Sequence, residues 1–153
     1  MIGIKRRVVL ALAAVCIGGT AYGQDRGTKD EAKAMVDAAL EHIKAVGEAQ
    51  AYKDFTSDKA KWTKKDLYVM VYDGKGVNLA HGANEKLVGK DMSAMKDANG
   101  VAVVPSLVGV ANKGGGWFDY DWPDPISKKI MAKSTYAKKL PNGDGFVGVG
   151  IYR

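Results

Sequence analysis

One long amphipathic helix, followed almost entirely by strand-length segments, is the pattern that most constrains this chain. Thr28-Lys29-Asp30-Glu31 reads as a capping box, with the Thr28 hydroxyl accepting from the Glu31 N–H and the Glu31 carboxylate accepting from the Thr28 N–H. Ala32, Val36, Ala39, Ile43 and Val46 then recur three or four apart, with Leu40 beside them, which predicts a helix to about Tyr52. At about 1.5 Å per residue that helix is roughly 35 Å long, enough to pack along a whole domain. In the lysine-rich stretch 53–65, Phe55 and Trp62 are the expected anchors.

Asp66–Asp73 is the clearest strand, with Leu67, Val69 and Val71 alternating with Tyr68, Met70 and Tyr72. The aliphatic set is expected to face the long helix and the other set the opposite side. The turn Asp73-Gly74-Lys75-Gly76 tolerates positive φ, so Val77–His81 returns as a hairpin partner. Asn84–Asn99 reads as irregular. Val101–Lys113 has helical spacing and ends at three glycines. Trp117–Trp122, Ile130–Leu140 and Phe146–Tyr152 complete the strands, with the last two joined by the turn Pro141-Asn142-Gly143-Asp144-Gly145. The predicted class is α+β, with one antiparallel sheet of about five strands. Hydrophobic residues at 46% and charged residues at 26% argue against disorder, and 153 residues suit a single domain.

Residues 1–23 read as an export signal. Lys5, Arg6 and Arg7 precede an apolar run from Val8 to Ile17, and Ala21-Tyr22-Gly23 supplies a small-x-small site before Gln24. The run is shorter than the roughly 20 residues a spanning helix needs. A membrane anchor retained over residues 8–21 is the competing reading. Val15 stands where a lipoprotein site before Cys16 wants a small residue. Removing the leader takes three basic side chains and no acidic one, so the formal charge falls from +6 to +3. The mature domain, residues 24–153, would lack cysteine, which suits an oxidising, periplasmic location and excludes a disulfide framework. Its lysines are dispersed, so nucleic acid is not an expected partner.

Several apparent motifs fail on context. Gly143–Gly148 fits GxGxxG, but only five residues follow and no helix can begin there. Asp119, Asp121 and Asp124 alternate, yet Asp124 and Ile130 stand where a calcium loop needs Gly and Glu, so these acids are expected to face water. No GxSxG, HExxH or CxxCH occurs. With two histidines and no cysteine in the mature chain, the expectation is a protein that is not an enzyme and needs no cofactor.

The segments Asp66–Asp73, Leu79-Ala80-His81-Gly82, Leu87–Asp91, Gly116–Pro125, Lys133–Tyr136 and Val147–Tyr152 together resemble the single Cache domain family, type 2, across essentially the whole mature chain. The resemblance implies a PAS-like fold: a long N-terminal helix behind a five- or six-stranded antiparallel sheet, with a small-ligand pocket on the other face. It also implies an extracytoplasmic sensor that binds a small carboxylate or similar metabolite. Because the sequence ends at Arg153, just past the last strand, a free-standing periplasmic binding protein is expected. The alternatives are an accessory subunit or scaffold for a membrane receptor or histidine kinase, or a small periplasmic enzyme. A homodimer through the N-terminal helix is a further partner expectation.

The expected pocket lies between the sheet and residues 84–116. Lys133, in the segment resembling the family's pocket-facing Lys-x-x-Tyr, would pair with a carboxylate. His81 and Tyr136 would supply hydrogen bonds, and Met70, Tyr120 and Trp122 the walls. Gly148 and Gly150 leave space on the same face, for either a ligand or a packed tryptophan. His42, on the long helix, is expected in solvent.

Overall fold

A computed structural model describes residues 23 and 25–153. The expected leader and its cleavage point at Gln24 lie outside the described residues, apart from Gly23. Thr28 caps α1 (Lys29–Val46) with the expected reciprocal pair: Glu31 N–H to Thr28 Oγ1 at 3.2 Å and Thr28 N–H to Glu31 Oε2 at 2.9 Å. Ala32, Val36, Ala39 and Ile43 are buried along it.

The expectation of one helix to Tyr52 is corrected. Gly47 takes φ 82° and ψ 161°, a conformation that side chains with a Cβ avoid, and the chain restarts as α2 (Glu48–Ser57) and α3 (Lys59–Trp62). Val46 is thereby left 43% exposed instead of extending the stripe. Phe55 and Trp62 anchor the new helices in the core. His42 is also corrected from solvent to a half-buried site. Its Nε2 lies 2.7 Å from Asp54 Oδ2, and its ring packs 5.0 Å from that of Trp62, because α2 folds back against α1.

The sheet is wholly antiparallel. It runs in the order β1 (Thr63–Lys64), β2 (Leu67–Tyr72), β6 (Phe146–Tyr152), β5 (Ile130–Lys139), β4 (Gly116–Pro123), and β3 (Asn78–His81) also pairs with β2. The C-terminal strand thus sits between β2 and β5. The hairpin between β2 and β3 is held at Asp73, whose Oδ1 accepts from Lys75 N–H and Val77 N–H at 3.0 and 2.9 Å.

Both faces of this sheet are covered. On one, Leu67, Val69, Val71, Val147, Val149 and Ile151 pack against α1 and α2. On the other, Tyr68, Met70, Tyr72, Phe146 and Tyr152 join Val103, Val104, Leu107 and Ala111 of α4 (Val103–Asn112). Every residue of β2 and β6 is therefore buried, and what alternates along them is shape rather than polarity.

Candidate functional site

His81 ends β3 opposite Met70 of β2 and is 2% exposed. Its Nδ1 accepts from the backbone N–H groups of Ala83 at 3.3 Å and Asn84 at 3.0 Å, which assigns the ring proton to Nε2. That buried Nε2–H has no partner among the described residues. Burial, and then the charges of Lys133 and Lys59, hold the imidazole neutral, with its pKa pushed down to about 3. The ring packs 4.9 Å from that of Tyr68.

A directed hydrogen-bond chain runs through Tyr68. Lys133 Nζ donates to the Tyr68 hydroxyl at 2.6 Å, which lies 3.2 Å from the Tyr152 hydroxyl; Tyr152 in turn donates to the Pro123 carbonyl at 2.8 Å. Since Tyr152 spends its proton on Pro123, Tyr68 donates to Tyr152. Lys133 is fully buried, with Nζ 4.2 Å from the Tyr68 ring centroid and 4.9 Å from that of Tyr152. Burial lowers its pKa to about 7, against the opposing pull of Asp66 and Asp124. Its stem crosses Gly150, where a Cβ would collide with Lys133 Cε and Thr135 Oγ1. The space at Gly150 is thus filled by Lys133 and Thr135, neither by an open cavity nor by a tryptophan.

Asp124 is corrected from a solvent-facing acid to a buried one. Arg26, two residues before the Thr28 cap, binds it through both nitrogens at 2.9 and 2.8 Å and also reaches Asp66 at 3.1 Å. The N–H groups of Ile126 and Ser127 also donate to it, at 3.2 and 3.0 Å, and the Ser127 hydroxyl lies beside it. The Arg26 guanidinium holds the Asp124 carboxyl well below the usual carboxylate range. This clasp fixes the loop after β4 against the start of the domain.

Between that loop and residues 83–98 lies a cavity of about 610 Å³. Its buried lining is Tyr68, His81 and Asp124, with Leu87, Met92, Met95 and Trp122 as half-buried walls and Ile130 at the exposed mouth. Of the residues expected to form the site, His81 and Trp122 line it. Met70 and Tyr120 lie in the core layer beneath, and Lys133 reaches it only through Tyr68. Tyr136 is corrected: it lies on the helix side, 5.3 Å from Trp117, because strand residues three apart point to opposite faces. Tyr68 was legible from its face-sharing with Met70, whereas the loop residues Leu87, Met92 and Met95 carried no periodic signal. Among the described residues no group of three His, Cys, Asp or Glu side chains could hold a metal ion, and no helix is long and apolar enough to cross a membrane.

Comparison with known proteins adds a family. The sequence model of the family described as Single Cache domain 2 matches residues 2–153. The sensor histidine kinase MctS of Rhizobium johnstonii and the methyl-accepting chemotaxis protein McpP of Pseudomonas putida are each 32% identical over 88 residues, which is 58% and 57% of this chain. The match spans only 19% and 16% of those two relatives. A methyl-accepting chemotaxis protein structure from Vibrio parahaemolyticus superposes with a TM-score of 0.72 at 31% identity, covering 81% of this chain and 87% of that one. A structure described as the basis for carboxylic acid recognition by a Cache chemosensory domain gives 0.67 at 27% identity, covering 80% and 91%.

Proposed function

The chain belongs to the single Cache domain 2 family, a family of sensor domains rather than enzymes, and on that premise we propose that it is an extracytoplasmic sensor domain whose cavity takes a carboxylate. The observation that carries this reading is His81, which lines the cavity and whose buried Nε2–H is a donor for which the described residues supply no acceptor. A buried unpaired donor costs free energy that a ligand oxygen would recover. The neutral state of the ring matters, because it leaves Nδ1 free to accept from Ala83 and Asn84 and so holds the single ring proton on Nε2. Lys133 acts from behind: its amine holds the Tyr68 hydroxyl in place, and its charge favours an anion nearby. The carboxylic acid recognition described for one structural neighbour supports the same ligand class. The kinase and chemoreceptor relatives support a role in reporting occupancy to a receptor or kinase.

Calorimetry on the full chain with short carboxylates and their amides tests the reading. His81→Phe keeps an aromatic ring against Tyr68 but removes the donor. Loss of a hydrogen bond to a charged group, about 1.5–3 kcal/mol, should weaken acid binding roughly 10- to 100-fold, with the melting temperature as the folding control. Unchanged affinity in a folded His81→Phe variant refutes it.

A further inference from the structure

We propose that the acid selected by this cavity carries a bulky apolar body of roughly six to ten carbons; the inference rests on the carboxylate reading above and specifies the rest of the ligand. Size is the first reason. At about 30 Å³ per non-hydrogen atom, the share of a liquid water, acetate fills about 120 Å³ and phenylacetate about 300 Å³. The cavity measures about 610 Å³, within the range that buries most of a ligand of ten or more such atoms.

The lining chemistry is the second. Its acids are already engaged: Asp124 by Arg26, and Asp97 by the N–H groups of Val101, Asn99 and Asp121. Asp121 accepts from the Asn99 side chain at 2.8 Å. What remains for a ligand is the unpartnered donor of His81, the ammonium groups of Lys96 and Lys128 on the exposed rim, and an apolar wall of Leu87, Met92, Met95 and Trp122. Two methionines in that wall let it adapt to a ring or a branched chain. The third reason is exposure. Ile130 at the mouth is 59% exposed, a large apolar surface that an apolar ligand body would cover.

Calorimetry on the full chain with acetate, phenylacetate and phenylacetamide decides it. Burial of about 100 Å² of ring surface predicts that phenylacetate binds about 50- to 100-fold more tightly than acetate. Ile130→Ser should cut that ratio roughly fivefold by removing part of the wall. Phenylacetamide should bind far more weakly than phenylacetate. If acetate binds as tightly as phenylacetate, the apolar body is refuted and the carboxylate reading stands. If phenylacetamide matches phenylacetate, the carboxylate head is wrong and both fall; absence of binding by all three also overturns both.

Discussion

Lys133→Met should abolish a pH dependence of stability that the wild type carries near neutrality. Lys133 is fully buried, and burial draws its pKa from 10.5 down to about 7. Between those values the unfolded chain holds a proton that the folded chain has released, so stability rises with pH, by about 1.4 kcal/mol per unit where the difference is complete. From pH 7 to pH 9.5 the gain integrates to about 3 kcal/mol, allowing for the half-protonated folded state at pH 7. The buried tyrosines Tyr68, Tyr72, Tyr120 and Tyr152 are all pushed upward by burial, so in the folded state they stay protonated through this window; their ionisation in the unfolded chain, at about pH 10, offsets only a few tenths of a kcal/mol of the gain, above about pH 9. Methionine keeps most of the stem that crosses Gly150. The variant loses the hydrogen bond to Tyr68, worth about 0.5–1.5 kcal/mol, but also the cost of burying an ammonium group. Urea unfolding at half-unit pH intervals should therefore show a rising wild-type profile and a nearly flat Lys133→Met profile, with the variant gaining most relative to wild type at the lower pH. Parallel profiles would mean that Lys133 titrates normally, and the account of its burial would be wrong.

Two further perturbations probe the frame around the cavity. Arg26→Met leaves the Asp124 carboxylate buried with no cationic partner from Arg26, held by the Ile126 and Ser127 N–H groups and the Ser127 hydroxyl. It should cost about 2–4 kcal/mol at pH 7 by urea unfolding, the low side of a broken buried pair because Arg26 is one-quarter exposed. Because Asp124 titrates below its unfolded value, the pair's stabilisation is present above about pH 4 and is lost as pH falls through the folded value. Arg26→Met should accordingly flatten the acid limb, and an unchanged limb would refute the clasp. Gly150→Ala should destabilise by about 1–3 kcal/mol through overpacking against Lys133 and Thr135. Measured in a Lys133→Ala background the same substitution should cost less, and equal costs in both backgrounds would show that Lys133 does not occupy that space.

The sequence alone determined what depends on neighbours a few residues away. The period of two along 67–72 assigned each side chain to the helix face or the opposite face, and the structure places them so. The capping box at Thr28 and the turn at Asp73–Gly76 were equally legible, because their hydrogen bonds close within a few residues. Strand parity also sets Lys133 and Tyr136 on opposite faces, so the resemblance that grouped them was the weaker guide. Gly47 was visible as a glycine but not as a break, since a glycine within a periodic stripe becomes a hinge only when packing rewards the turn, here by seating Phe55 and Trp62. Only the tertiary structure could bring Arg26 to Asp124 across 98 positions, set Lys133 beneath Tyr68 across 65, and close residues 83–98 over His81. Periodicity orients a side chain relative to its own strand. Which distant charge it meets, and whether water remains beside it, is fixed only by the path of the folded chain.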